Sequence, residues 1–422
     1  MKQVFLFVFI LLSSNCFSQD SFIVIRGKVL DRKSKSPLAY ANIYLKGRSI
    51  GTISNESGEF EFKVPVENRN DSLIVSYVGY KNLSSKILDV RGELFYLENS
   101  STQLQEITVN TLTGEQIMRK ALASIENNYP VGPNILKAFY RDWKIRESTV
   151  PDSSKVTLVE AAISVYDKSY KKTSNELIFV DHVRRSKASG NEYNYLYLLV
   201  EQNYVRHTFS RNIGNVFGPF DFKHLTYDLK DIVTQNGENV YLITAESKEV
   251  PGQYEFYISA SDFGFLRITF KGQMKGDVIL GDDKQPWLKR THQMIYIDNA
   301  LVFRKYNNRY FLNYLKLNWR TRTLSDVTGE TTDTREFLQE LLVNEIITED
   351  VEKLVHQYGR PMSNKKSIEQ QIKPYSKSFW ESFNVIKERP LNGKLMKLLE
   401  KDGKIEDQFM NQRSDSSKEI RK

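Results

Sequence analysis

Apolar side chains recur at every second position along much of this chain, in short runs cut by turn-forming residues. Phe60, Phe62 and Val64 share one parity, as do Val159, Ala161, Ile163 and Val165, and Leu266, Ile268 and Phe270. A period of two puts such residues on one face of a strand, whereas a helix would scatter them around its axis. The pattern confines the chain to β-rich folds whose sheets bury a face. The 12% aromatic content, 23 Tyr and 24 Phe against 4 Trp, agrees, because aromatic rings suit a half-buried pleated surface. With 40% hydrophobic and 27% charged residues, 422 residues can fill more than one packed core, which excludes a disordered chain.

Residues 1–18, MKQVFLFVFILLSSNCFS, read as a signal peptide. Lys2 supplies its positive start and Val4–Leu12 its apolar stretch. That stretch is too short to span a bilayer as a helix, which takes about 20 apolar residues. Small residues at Cys16 and Ser18 place cleavage before Gln19; the alternative is a lipoprotein acylated at Cys16, for which Asn15 fits poorly. No later segment approaches the length of a transmembrane helix. The expected location is therefore the periplasm or the outer-membrane surface. Cys16 is the single cysteine, which excludes a disulfide framework and a Cys-based zinc site. The net charge is +8, but the basic pairs Lys171-Lys172, Arg184-Arg185 and Lys289-Arg290 are scattered among acids. A nucleic-acid face would gather them on one element, so no nucleic-acid partner is expected.

Residues 22–98 read as about seven short strands, with Gly58 supplying a positive φ in the turn Asn55–Gly58. Residues 99–130 form a linker and a short helix. Thr113 and Gln116 make a capping box, Ile117, Ala121 and Ile125 lie on one helical face, and Asn127-Asn128-Tyr129-Pro130 stops the helix. Residues 135–345 return to about ten strands, with a hairpin at Asn236-Gly237 and another join at Ser261–Gly264. An antiparallel meander is expected, as a curved sheet or half-barrel. Residues 346–403 are helical: Asp350–Tyr358 is closed by Gly359 and Pro361, Ser378 and Glu381 form a second capping pattern, and Leu395, Leu398 and Leu399 mark a further helix. Residues 404–422 read as a charged, flexible tail.

In the first of these regions stand Gly27-Lys28-Val29, Pro37-Leu38, Ala41-Asn42-Ile43, Gly51-Thr52, Gly58-Glu59-Phe60 and Ser76-Tyr77-Val78-Gly79-Tyr80. With these residues the stretch resembles the carboxypeptidase-regulatory-like domain, a transthyretin-like, seven-stranded antiparallel β-sandwich. The resemblance implies an accessory module without catalytic residues, of the kind that precedes many bacterial outer-membrane receptors and secreted envelope proteins. The combination with a short helix, a β-rich region and a tail holding Phe379-Trp380 is similar to a family of uncharacterised bacterial secreted proteins. The stretch GQYEFYISASDFGFLRITF resembles a lipoprotein-carrier-like curved sheet.

Catalytic motifs fail on their contexts. Ser49 lies in a GxSxG match, but no helix follows to lift it as a nucleophile elbow requires, so it reads as a turn serine. Three residues beyond His182, His207, His224, His292 and His356 stand Arg185, Ser210, Tyr227, Ile295 and Gly359, so neither HxxE nor HExxH occurs. Gly276–Gly281 has P-loop glycine spacing, but Asp282-Asp283 stand where a lysine is needed. Asp277, Asp282 and Asp283 lack calcium-loop spacing. Tyr193, Tyr195 and Tyr197 share one side of a strand and are candidate ligand-contact aromatics, since stacked rings bind sugars as well as filling cores. Glu160 and Glu255, each within an apolar strand, could form an acid/base pair; otherwise they are outward-facing carboxylates.

The expected molecule is mainly β: an N-terminal sandwich, a larger antiparallel β domain and C-terminal helices. Its expected role is that of a non-catalytic exported envelope protein, binding a protein, glycan or lipid through the large domain. The alternatives are a hydrolase with an unrecognised site and an accessory partner of an outer-membrane transporter. No catalytic residue, metal ligand or cofactor is expected.

Overall fold

The computed structural model describes residues 22–100, 112–170, 176–187, 225–235, 237–247, 252–273, 279–282, 290–325, 327–362, 368, 375–389 and 391–411. Residues 1–18, read as a signal peptide, and Tyr193, Tyr195 and Tyr197 lie outside them, as do His207 and His224.

Strands β1 (Phe22–Asp31), β2 (Asn42–Leu45), β3 (Gly51–Ile53), β4 (Glu59–Pro65), β5 (Ser72–Ser76), β6 (Leu83–Lys86) and β7 (Leu94–Leu97) build the first body. They form two sheets, β4-β1-β7 and β3-β2-β5-β6. Alternate residues meet between the sheets: Val29, Ile43, Phe60, Phe62, Val64 and Val75 are wholly buried there. Gly27 is required by packing, since a Cβ on it would lie 2.3 Å from the Phe95 ring. Gly58 takes its expected positive φ, 76°. All pairs are antiparallel except β1 with β7, which run parallel with Val29 opposite Phe95.

The second body is one sheet of 11 strands. They are β8 (Asn134–Ser148), β9 (Lys155–Asp167), β10 (Leu177–Arg185), β11 (Leu225–Gln235), β12 (Glu238–Ser247), β13 (Gln253–Ser259), β14 (Phe265–Gln273), β15 (Ile279–Asp282), β16 (Arg290–Tyr306), β17 (Arg309–Ser325) and β18 (Thr331–Ile347). The order is β10-β9-β8-β18-β17-β16-β14-β13-β12-β11, with β15 beside β16, and the sheet is open. Chain neighbours pair as a meander does, with two breaks: β14 passes over β15 to pair β16, and β10 and β11 sit at opposite edges while β8 pairs β18, Ile135 opposite Ile347.

One face of this sheet packs on α1 (Gly114–Ala123) and α2 (Ile125–Asn128), through Ile117, Met118, Ala121 and Ile125. The expected capping box is present: Thr113 accepts from the Gln116 amide, and the Gln116 side chain accepts from the Thr113 amide. Tyr129, just after α2, stacks on Tyr170 beyond β9 and donates its hydroxyl to the carbonyl of Phe265 on β14 at 3.2 Å. Those strands are five places apart in the order, about 24 Å in a flat sheet at ~4.8 Å per strand. The sheet curves toward this face and gathers its strands around one tyrosine.

The opposite face is also covered. The sandwich meets it through Tyr40 and Ile53 against Phe139, Val302, Tyr314 and Leu342. Helices α3 (Val351–Gln357), α4 (Lys377–Ser382), α5 (Gly393–Leu399) and α6 (Ile405–Met410) follow the last strand. Trp380 of α4 joins the sandwich contact, while α5 and α6 pack on Trp143, Ile145, Val156 and Leu158. Two expectations change here. The cap of α4 is Ser376, whose hydroxyl accepts from the Phe379 amide, so Ser378 lies inside the helix. And α6 falls within the stretch read as a charged tail: Ile405 and Phe409, one turn apart, are buried among its charges.

Candidate functional site

The seam between the two bodies holds the site. The hairpin β16–β17 turns at Asn307 and Asn308, both with positive φ, 46° and 59°, as a two-residue hairpin turn demands. Three residues before the turn, Arg304 points away from the helix-covered face and into the sandwich. Its Nη2 donates to the carbonyl of Ser49 at 2.7 Å and its Nη1 to that of Ile50 at 3.3 Å. The GxSxG serine is thus a residue of the β2–β3 turn whose backbone, not hydroxyl, is engaged.

Beside Arg304 lies a cavity of about 250 Å³ walled by both bodies. The sandwich contributes Asn42, Tyr44 and Ser76; the sheet contributes Gln235, Glu238, Val240, Ser259, Leu266, Phe303, Lys305 and Tyr310. Gln235 Nε2 donates to Ser76 Oγ at 2.9 Å across the seam. Lys305 and Tyr310 both engage Asp262, at 2.8 and 3.2 Å. Arg304 is 5% exposed, and its Nε has no hydrogen-bond partner. Burial pulls its guanidinium down to about 10, with the nearby Tyr44 and Tyr306 phenols opposing. At neutral pH it is still a cation.

A second polar cluster crosses the same seam farther along. Glu160 lies between Arg141 and Arg184, 2.6 Å from each, with both Glu160 and Arg141 fully buried. Burial pushes the Glu160 carboxyl up, but the two guanidiniums outweigh it and hold it below the usual range. Tyr314 donates to Glu340 at 2.7 Å, and Lys316 donates to Asp298 at 2.7 Å and to the Tyr40 hydroxyl at 3.1 Å. Each of these carboxylates is matched by a residue of the large sheet, and the Lys316 bond to Tyr40 carries the cluster across to the sandwich.

The structure does not bring Glu160 and Glu255 together. Their strands, β9 and β13, are six places apart in the sheet order. Glu160 is also not outward-facing, because the sandwich and C-terminal segment cover its face. Glu255 accepts from Thr269 at 3.4 Å. His182 stacks on Phe379 at 3.8 Å and His356 sits in the last turn of α3. Among the described residues no three His, Cys, Asp or Glu side chains gather as a metal site would need, and no helix is long and apolar enough to cross a membrane. The sequence reading passed over Arg304. Its signal was parity: it follows Ala300 and Val302 at even spacing, an arginine in a position that buries apolar residues.

No curated protein sequence matches the chain. Solved structures similar to it include a LolA superfamily protein from Nitrosomonas europaea, 10% identical over 57% of this chain and 97% of that one, with a TM-score of 0.18. A DUF1329 family protein from Desulfovibrio piger is 10% identical over 56% and 94%, with a TM-score of 0.21. The MucA/MucB complex from Pseudomonas aeruginosa gives 8% identity over 56% and 99%, with a TM-score of 0.18. Similarities this slight set no constraint on what the chain binds. The N-terminal region is different: the family model of the CarboxypepD_reg-like domain matches residues 25–109, and the sandwich belongs to that family.

Proposed function

We propose that this chain is a non-catalytic, exported protein of the cell envelope that binds its ligand in the cavity at the seam. The observation that carries the reading is that both bodies wall one cavity and present polar side chains into it. A sandwich serving only as a spacer has no need to share a buried, hydrogen-bonded surface with its neighbour. Here Gln235 reaches Ser76 and Arg304 reaches the β2–β3 turn, so the sandwich completes the site. The leader supports export, with Gln19 as the first residue of the mature chain or, failing that, an acylated Cys16. A protein, glycan or lipid component of the envelope supplies the bound group, and the outer-membrane surface is the place where such a module would work.

Native mass spectrometry of the protein recovered from its own envelope tests this. The expected spectrum shows a non-covalent adduct that is lost on denaturation, on a chain beginning at Gln19. Recovery of the bare chain only, together with turnover of an ester or glycoside panel, would replace this reading with the hydrolase.

A further inference from the structure

We propose that the seam cavity holds a compact oxyanion, a phosphate or carboxylate group, anchored by Arg304. The inference deepens the binding function above, and it can fail while that function stands.

Arg304 is buried and charged, and its neighbours among the described residues are the Tyr44 ring, 5.7 Å away, and the Tyr306 phenol, with no carboxylate paired to it. Elsewhere at the seam Arg141 and Arg184 share Glu160, and Arg267 lies over the rings of Tyr40 and Tyr77. A buried cation without a counter-charge is strongly unfavourable. Two carbonyl bonds to Ser49 and Ile50 occupy only part of a guanidinium that carries five N–H donors, and Nε donates to nothing. A planar fork of this kind grips phosphate and carboxylate through paired bonds, which a lysine does not reproduce.

The rest of the wall suits the same guest. The Ser76 hydroxyl accepts from Gln235, which leaves its own proton to donate. Lys305 adds positive charge at the edge, although Asp262 neutralises it. Glu238 is the acid in the lining; it is exposed and accepts from Ser261 at 3.5 Å, away from the buried end. A volume of about 250 Å³ accommodates a single headgroup or small acid and falls short of the roughly 300–1,000 Å³ of pockets that enclose a whole drug-sized molecule.

The test titrates the full chain, without its leader, with inorganic phosphate, acetate and short-chain phosphatidic acid, at constant ionic strength in chloride. The expected result is saturable binding of phosphate or acetate, weakened about 10- to 100-fold by Arg304→Met, the loss that follows from removing a charge-assisted hydrogen bond. Should Arg304→Met fail to fold, Ser76→Asp serves: it keeps the grip on Ser49 and Ile50 but places a carboxylate in the cavity, and it is expected to displace the anion. Tighter binding of phosphatidic acid than of inorganic phosphate assigns the group to a lipid headgroup; the reverse assigns a free anion. No binding of either oxyanion, or binding that both variants leave unchanged, overturns the inference. A neutral molecule retained in native mass spectra alongside that result would leave the binding function in place.

Discussion

Glu160 shows how much one side chain can hold. Replacing it with Gln takes the shared carboxylate from Arg184 and leaves the fully buried Arg141 with Glu340 alone, at 3.7 Å. Removing one partner of a buried pair costs about 3–5 kcal/mol, so Glu160→Gln is expected to lower the urea midpoint by that equivalent. The sign of its pH dependence follows from the depressed carboxyl. Its contribution is complete above the ordinary value of 4.5 and is lost as pH falls through the lower folded value. Midpoints measured against pH should therefore drop below that value, and less steeply in Glu160→Gln; Asp31, Glu59, Asp262, Asp333 and Glu336, also held low, contribute to the remaining slope. Gly27→Ala tests packing rather than charge. The added methyl meets the Phe95 ring, and overpacking costs about 1–3 kcal/mol. Phe95→Leu in the same chain should recover part of that loss. Sequence parity showed which face Glu160 lies on. It was silent on whether anything covers that face, and that silence turned a buried ion pair into an expected surface carboxylate.

At the level of elements, local chemistry was legible wherever it acts within a few residues. Thr113 and Gln116 declared the start of α1, and Gly237 and Gly58 declared turns that the structure contains, both with positive φ. Thr113→Ala is expected to cost ~1 kcal/mol, read as a matching fall in the unfolding midpoint. It should also raise hydrogen exchange at the first amides of α1 before any change in β16. Patterns that compete locally were less legible. Two serines, Ser376 and Ser378, could each cap α4, and the choice went to the one that turns Trp380 inward against Tyr40 and Phe139. Helix α6 was hidden because its apolar residues, Ile405, Phe409 and Met410, stand in a stretch that carries five basic and four acidic side chains, although Gln408 secures it through the carbonyls of Leu399 and Gly403. Arg304 was overlooked for a related reason: a cation in a strand, here with Lys305 next to it, reads as solvent-facing until the partner surface is known.

Across the whole molecule, pairing at long range is what a sequence conceals most. Nothing local joins β8 to β18, or tells that β10 and β11 occupy opposite edges. The same holds for Asn384, whose amide mimics a peptide group against the edge strand β4: it accepts from the Lys63 amide at 2.7 Å and donates to the Lys63 carbonyl at 3.1 Å. Lys63 in turn donates to the carbonyls of Trp380 and Phe383, and Asn55 to those of Lys387 and Glu388. Because this segment and the polar seam bind both bodies, the chain is expected to melt in one calorimetric transition whose van't Hoff and calorimetric enthalpies agree. Truncation before Tyr375 should split that transition and produce concentration-dependent self-association, visible in sedimentation velocity, as an uncovered edge strand invites new partners. The placement of Asn384 also fixes an order of events. The sandwich stays unfinished along one side until a residue 321 positions farther on has been delivered, so a nascent or translocating copy depends on being kept apart from its siblings while all that lies between is made.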